Sequence, residues 1–123
     1  MRAILSHCKS VRTMMKWHEH AWLNPLLALI CFEKKDGPRE FDKTFQELLK
    51  ALKYLGIKTA VLVPFSKLSN DAVDAEAGKQ RIDKLSRKLE KAGYNVSQFE
   101  FENVQNVIFD LLGHRVSVGF REW

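Results

Sequence analysis

The chain has 123 residues, of which 46% are hydrophobic and 28% are charged, and its formal net charge is +5. This length corresponds to one domain, and the apolar content is enough for one hydrophobic core, which excludes an intrinsically disordered chain. Cys8 and Cys31 have neither disulfide-framework nor zinc-site spacing, and the longest apolar run, residues 25–32, is too short to span a bilayer, so we expect a cytoplasmic protein with buried, reduced thiols.

Two strands are predicted in the first quarter of the chain. Residues 2–8 have the apolar character of a strand, and residues 26–34 form a nearly continuous apolar run, which favours a central strand buried on both faces. Between them, residues 9–24 mix large apolar side chains with bases and histidines. A short helix and an ordered loop are equally consistent with that segment.

The middle of the chain predicts two helices and a strand. Apolar residues over 41–55 recur on one helical face, and Gly56 follows where a left-handed C-terminal cap belongs. Residues 59–64 predict a strand that ends at a proline. A polar loop over 66–76 then leads into a second helix over about 76–92.

The last quarter of the chain predicts three more strands. The first covers 94–101, and a shift in its apolar phase between Val96 and Phe99 indicates a bulge. Residues 104–112 and 114–121 predict a terminal hairpin around Gly113.

The order of these elements predicts an α+β fold. Two helices cannot cover both faces of a wide sheet, so we expect them to pack together on one side. The expectation is therefore a single domain over residues 1–123, with two layers, a mixed or antiparallel sheet of about five or six strands and two main helices.

Five segments of the chain resemble, in the same order, the amino-terminal editing domain of archaeal threonyl-tRNA synthetases. The best single piece is Pro64-Phe65-Ser66-Lys67-Leu68-Ser69, which is similar to the family's Pro-Phe-x-His-Leu-Ser segment. The other four are Met1-Arg2-Ala3-Ile4-Leu5-Ser6-His7, Ala28-Leu29-Ile30-Cys31-Phe32-Glu33-Lys34, Gly93-Tyr94-Asn95-Val96 and Gly113-His114. The order and spacing of the five segments hold across nearly the whole chain.

The resemblance implies the fold of D-aminoacyl-tRNA deacylases and a pocket for the 3′ end of a charged tRNA. In the family, serine wrongly joined to threonine tRNA is hydrolysed in that pocket without a metal or any other cofactor, and the 2′-hydroxyl of the terminal adenosine assists the attacking water. The resemblance also favours a homodimer. Residue by residue, it places the following side chains at the substrate: Pro64, Phe65, Ser66, His7 and Val104.

The chain departs from the family's pattern at the functional positions themselves. Lys67 stands where the family has histidine, Gln105 where it has lysine, and Val118 where it has glutamate. Glutamine can form hydrogen bonds but carries no charge, and valine can do neither. Lys67 and Gln105 are the candidate catalytic residues that remain, in altered form.

The second predicted helix is the most basic part of the chain. Its cations Lys84, Arg87, Lys88 and Lys91 are spaced to share one solvent face, which makes them candidates for contacts with an RNA backbone. An ordinary solvated helix face explains the same spacing equally well.

The remaining histidines, cysteines and tryptophans have simpler interpretations. His18 and His20 flank Glu19 in no recognised metal spacing, so no metal site is predicted. His7 and Cys8 are neighbours on a strand and therefore point to opposite faces, which excludes a direct thiol–base pair. Trp17 and Trp22 either stack on unpaired bases or fill a core or dimer contact.

Three functions are consistent with these observations. The first is a freestanding editing domain that binds the tRNA acceptor end and hydrolyses mischarged aminoacyl-tRNA of the seryl-tRNA(Thr) type. The second is a catalytically inactive RNA- or ribonucleoprotein-binding module of the same fold. The third is an interaction subunit that docks on a synthetase or another protein through residues 14–33. The last two predict a filled or capped pocket near Pro64, Lys67 and Gln105.

Overall fold

The computed structural model of the chain describes residues 1–114 and 118–123. Within these ranges, nine elements follow one another in the order β–β–β–α–β–α–β–β–β, with single 3-10 turns at Ser66–Leu68 and Phe101–Asn103. They are β1 (Arg2–Met15), β2 (His18–Leu23), β3 (Leu26–Cys31), α1 (Pro38–Leu55), β4 (Thr59–Pro64), α2 (Ala75–Lys91), β5 (Asn95–Gln98), β6 (Asn106–Leu111) and β7 (Val118–Glu122).

Strand β1 is the centre of the sheet. Its first half pairs with β3 on one side and β7 on the other, and its second half pairs with β2 and β6. Parallel pairing of β3 with β4, and of β4 with β5, completes a mixed sheet that curls into a half-barrel. The predicted α+β fold is therefore confirmed, with seven strands in the described residues.

Three predictions about strands were wrong. The shift in apolar phase between Val96 and Phe99 is not a bulge, because β5 pairs with β4 in continuous register and ends at Gln98. Residues 9–24 form neither a helix nor a loop, because β1 runs on to Met15 and returns through β2 as an antiparallel hairpin. In the described residues β6 and β7 do not form a hairpin with each other, because both pair antiparallel with β1, one after the other. The predicted strand over 114–121 includes residues 115–117, which lie outside the described residues.

The two predicted helices are confirmed, with small shifts at their starts. Helix α1 begins earlier than its apolar face, at Pro38, because a proline suits the first turn and the Gly37 N–H donates to Glu40 Oε2 at 2.9 Å. It ends at Gly56, which has φ 67°, the left-handed conformation that glycine adopts without strain. Helix α2 begins at Asp74, whose Oδ1 accepts from the Ala77 N–H at 2.8 Å.

Both helices pack on one face of the sheet, over the main core. Leu48 and Leu52 of α1 and Ile82, Leu85 and Leu89 of α2 are fully buried there. A smaller apolar cluster fills the opposite face and is built on Cys8, Val11, Leu27, Val61 and Val63. Neither helix is long and apolar enough to cross a bilayer, and no other helix of the described residues is.

Candidate active site

A cavity of about 320 Å³ opens where the carboxyl ends of β3 and β4 meet the first turn of α2. Ligands commonly bind in such crevices beyond the carboxyl ends of parallel strands, and this volume is at the lower end of the range for small-molecule sites. Its walls are formed by Ile30, Cys31, Phe32, Pro64, Phe65, Ser66, Lys67, Ala72, Val73, Asp74, Ala75, Gly78, Glu100, Phe101 and Glu102.

Backbone hydrogen bonds fix the chain that forms the first wall. The Phe65 N–H donates to Ile30 O at 2.9 Å, and the Val73 N–H donates to Phe32 O at 2.9 Å. The Arg2 guanidinium donates to Leu68 O at 2.7 Å, from the first residue of β1. The segment from Phe65 to Val73 is thus attached at both ends and in the middle, which orders the wall before any ligand arrives.

A buried charge cluster also stabilises the wall formed by residues 65–73. The Met1 ammonium donates to Glu33 Oε1 at 2.6 Å and to Asp36 Oδ1 at 2.9 Å. Ser69 Oγ donates to the second oxygen of Glu33 at 2.7 Å. These hydrogen bonds, first from the ammonium and then from Ser69, lower the pKa of Glu33 to about 2. Ser69 Oγ therefore has a structural role in this cluster, which argues against a role as a nucleophile.

Aromatic rings form the second wall. Phe101 meets Phe65 at 5.7 Å between ring centroids, with an interplanar angle of 64°. The same ring contacts Phe99 at 5.6 Å and Phe109 at 6.3 Å. Such edge-to-face pairs are favourable beyond the area they bury. They attach the turn that follows β5 to the end of β4, and this junction closes the cavity on one side.

One cation and three carboxylates lie among the lining residues. Lys67 is exposed at the cavity. Two of the carboxylates have other partners, since Asp74 caps α2 and Glu100 lies 4.0 Å from the Lys79 ammonium. Glu102 forms no hydrogen bond or ion pair within the part of the chain that the structure describes. Lys67 and Glu102 are therefore the charged groups available to a bound molecule.

Gly78 determines how much room the cavity has at the helix. It is buried in the first turns of α2, and a Cβ added there would lie 3.8 Å from Val73 Cγ2 and 4.0 Å from Pro64 Cβ. These are ordinary contact distances, so alanine fits. A longer side chain would extend between Val73 and Pro64 and fill the space.

Comparison with known proteins identifies the family of this fold. The model of the archaea-specific editing domain of threonyl-tRNA synthetase matches residues 4–122. The chain belongs to this editing-domain family. It is also 26% identical, over 96 residues, to a threonine–tRNA ligase of Thermofilum pendens, and the match covers 76% of this chain and 16% of the ligase.

Solved structures show the same fold at low sequence identity. A c-Myc DNA unwinding element binding protein superposes with a TM-score of 0.77 at 11% identity, covering 100% of this chain and 99% of that one. A probable eukaryotic D-amino acid tRNA deacylase gives a TM-score of 0.67 at 11% identity, covering 98% and 96%. The deacylase-like fold that the sequence predicted is therefore confirmed.

The cavity contains some of the residues that the editing-domain resemblance selected. Pro64, Phe65, Ser66 and Lys67 all line it. Val104 and Gln105 are outside its lining, because the chain turns at Phe101–Asn103 and the Gln105 N–H then donates to Met14 O at 2.7 Å, in the second half of β1. The wall that the resemblance placed at 104–105 is formed by residues 100–102. Counting residues along the sequence could not reveal that residues 100–102 form this wall. The alternation of Phe and Glu over 99–102 is the sequence pattern that could have indicated it.

His7 lies at a different place in the fold. It is 9% exposed, and its ring bonds at both nitrogens, with Nδ1 2.8 Å from His114 Nε2 and Nε2 2.7 Å from Asn24 Oδ1. It lines a second cavity, of about 540 Å³, between α1, β1 and β7, together with Tyr54 and Val118. The structure thus separates His7 from Lys67.

The four basic residues of α2 that the sequence proposed as RNA contacts divide into two pairs. Lys84 and Lys88 cover aromatic rings of α1, with the Lys84 ammonium 4.9 Å from the Phe41 ring centroid and the Lys88 ammonium 4.5 Å from that of Phe45. Lys88 also lies 3.7 Å from Asp42. These two cations stabilise helix packing through the rings, although Lys84 is itself exposed, whereas the exposed Arg87 and Lys91 have no such ring contact among the described residues.

The cysteines and the remaining histidines do not add a second reactive centre to the described part of the chain. Cys8 and Cys31 are free and buried, as predicted. Burial, together with the nearby Asp110, raises the pKa of Cys8 to about 11, which keeps it a thiol near neutral pH. The described residues assemble no group of three His, Cys, Asp or Glu side chains that could hold a metal.

Proposed function

We propose that this domain hydrolyses the ester bond between a wrongly attached amino acid and the 3′ end of a tRNA, of the seryl-tRNA(Thr) type, in the cytoplasm. Two observations support the proposal: membership of the editing-domain family and an open cavity at the segment that carries the family resemblance. Inactive modules predict a filled or capped pocket at this place, so the open cavity of about 320 Å³ favours an enzyme.

The charged lining suggests how the reaction would proceed. A water oxygen attacks the ester carbonyl, and the negative charge that develops on the carbonyl oxygen is stabilised by the Lys67 ammonium. Glu102, which has no other partner in the described residues, accepts the proton of that water. Collapse of the tetrahedral intermediate breaks the bond to the ribose oxygen, which takes the proton back from Glu102, while the neighbouring 2′-hydroxyl helps to orient the water.

The proposed partners are a tRNA and, in addition, a synthetase, a ribonucleoprotein or a second copy of the chain. The tRNA backbone would run along α2, from the cavity at Gly78 towards Arg87 and Lys91, whose charges are free to neutralise phosphates. A synthetase or ribonucleoprotein as an additional partner, and a homodimer, remain proposals that sedimentation and pull-down experiments can test separately.

A deacylation assay tests the proposal. The protein is incubated with seryl-tRNA(Thr) and, in parallel, with correctly charged threonyl-tRNA(Thr), and ester loss is followed against the uncatalysed rate. We expect Lys67→Ala to lower the rate by roughly 10²-fold, since removal of one oxyanion-stabilising group has effects of this size, and Glu102→Gln to lower it as well.

The same assay contains its own controls. Gln105→Ala tests whether the glutamine amide reaches the substrate from outside the cavity lining, and Glu76→Gln, on the exposed start of α2, should leave the rate unchanged. Wild-type hydrolysis no faster than the uncatalysed reaction would refute the enzyme and leave the RNA-binding module and the interaction subunit.

A further inference from the structure

The β1–β2 hairpin ends in a tryptophan that the fold does not use. Met15 pairs with His18, which leaves Lys16 and Trp17 as a two-residue turn, with Lys16 at φ 50°. The Trp17 side chain is 96% exposed. A large aromatic side chain normally adds to stability by burial. At the tip of this hairpin it contributes almost nothing to the core, and exposed aromatic rings are the groups on which unpaired bases stack.

The charges around the tip indicate the chemistry of the partner. Lys9, Arg12 and Lys16 are all exposed, and none of them forms an ion pair with another described residue. Within residues 9–20 they are opposed by a single carboxylate, Glu19. Unpaired cations beside an exposed aromatic ring match a polyanion whose units have flat faces, which is a single-stranded nucleic acid. An apolar protein surface would leave these cations desolvated and unpaired.

Ring contacts connect this hairpin to the cavity. His20 stacks on Trp22 at 6.1 Å, and Trp22 stacks on Phe99 at 6.1 Å. Phe99 meets Phe101, which forms the cavity wall with Phe65. Strand β2 therefore lies beside the cavity wall, and its start is the hairpin tip. A single strand that leaves the cavity can follow β2 outwards.

We infer that the hairpin tip is a second RNA contact, in which Trp17 stacks on an unpaired base while Lys16 and Arg12 neutralise adjacent phosphates. The continuous path from the cavity to the tip depends on the proposed function. The stacking contact at Trp17 does not depend on it, because it requires only a single-stranded polyanion.

Binding of an unstructured oligouridylate tests the contact directly. Fluorescence anisotropy of a labelled strand of about 12 nucleotides, within the usual site sizes, is measured with wild-type protein, Trp17→Ala and Trp17→Phe. We expect Trp17→Ala to weaken binding by roughly 5- to 100-fold, the range for loss of one stacked base, and Trp17→Phe to restore most of it. Lys16→Ala should lower the slope of log affinity against log salt by about 0.7.

Matched controls separate the possible outcomes. Tyr54 is 75% exposed on α1 and is flanked by Lys50 and Lys53, so Tyr54→Ala removes an equally exposed aromatic from another basic surface and should have no effect. Gly78→Leu, which fills the cavity, should keep oligouridylate affinity, so that loss of hydrolysis and loss of stacking are observed independently. Equal affinities of Trp17→Ala and wild type would overturn the inference. So would a Trp17→Ala variant that loses only self-association in sedimentation.

Discussion

The cavity wall and the hairpin tip are held in very different ways. The wall from Phe65 to Val73 is fixed by backbone bonds and by the buried Glu33 cluster. The tip is held only by strand pairing and exposes Trp17 almost completely. Chemistry requires groups that are positioned in advance, whereas a stacking contact tolerates motion because every base has a flat face. The difference suggests that hydrolysis and RNA recognition are divided between the two regions.

The largest expected effect separates the regions by stability. Glu33→Gln removes the carboxylate that the Met1 ammonium contacts at 2.6 Å, and the Glu33 side chain is only 6% exposed. The ammonium keeps its pair with Asp36 at 2.9 Å in this variant, so the cost is that of one lost hydrogen bond to a buried charged group, and we expect a loss of about 2 kcal/mol in the free energy of unfolding. Thermal denaturation measures it, with the exposed Glu90→Gln as the control.

Glu33→Gln should increase local opening of the cavity wall and leave the hairpin tip unchanged. Amide exchange should accelerate over residues 66–73 in Glu33→Gln and remain unchanged at the hairpin tip. Equal acceleration in both regions would contradict the separation.

The pH dependence of stability reports on the same carboxylate. The pKa of Glu33 in the folded protein, about 2, is lower than its ordinary value of 4.5. Because the folded value is the lower one, the contribution is fully present above about pH 4.5 and is lost as the pH falls towards 2. We expect the difference in unfolding free energy between wild type and Glu33→Gln to shrink over this window. A difference in unfolding free energy that stays constant over this window would show that the charge of Glu33 does not cause the loss of stability in Glu33→Gln.

A pair of substitutions at Gly78 separates the regions by activity. Gly78→Ala adds a methyl group that fits and removes a helix-interior glycine, so it should raise the unfolding free energy by roughly 0.5–1 kcal/mol and keep hydrolysis. Gly78→Leu should fill the cavity and lower hydrolysis by roughly 10²-fold, since small displacements of substrate have effects of this size. Hydrolysis that survives in Gly78→Leu would place the reaction elsewhere.

The smallest expected effect concerns the part of α2 that lies away from both the cavity wall and the hairpin tip. Lys88→Ala removes a contact with the ring of Phe45 and an exposed pair with Asp42, so it should lower the unfolding free energy by about 1 kcal/mol. Lys91→Ala, at an exposed position, should change it by less than about 0.5 kcal/mol. If oligouridylate affinity falls more in Lys88→Ala than in Lys91→Ala, Lys88 also contacts the RNA.

The sequence predicted the parts of the fold that local patterns determine. Apolar periodicity located both helices, Gly56 ended α1, and the strand over 59–64 is β4 as predicted. Residues 9–24 were misjudged because β2 is exposed along most of its length and carries no apolar alternation. Its strand conformation comes from hairpin pairing with β1, and the same half of β1 is paired on its other side with β6, a long-range contact that no local pattern contains.

The candidate site was predictable on one wall only. The resemblance found Pro64 to Lys67 because those residues are contiguous in the chain. It missed Glu102 and Gly78, because the second wall depends on where β5 ends and on how α2 meets β4. The spacing of cations on the second helix selected Lys84 and Lys88 as RNA contacts, since a helical face by itself does not show that aromatic rings of α1 lie beneath it.

Titration with a non-hydrolysable seryl amide of 3′-amino-3′-deoxyadenosine, followed by amide chemical shifts, tests the site most directly. We expect the largest shift changes at Ser66, Lys67, Gly78 and Phe101, with loss of binding in Gly78→Leu. Changes centred instead on the second cavity, at His7 and Tyr54, with Gly78→Leu binding as well as wild type, would contradict this expectation.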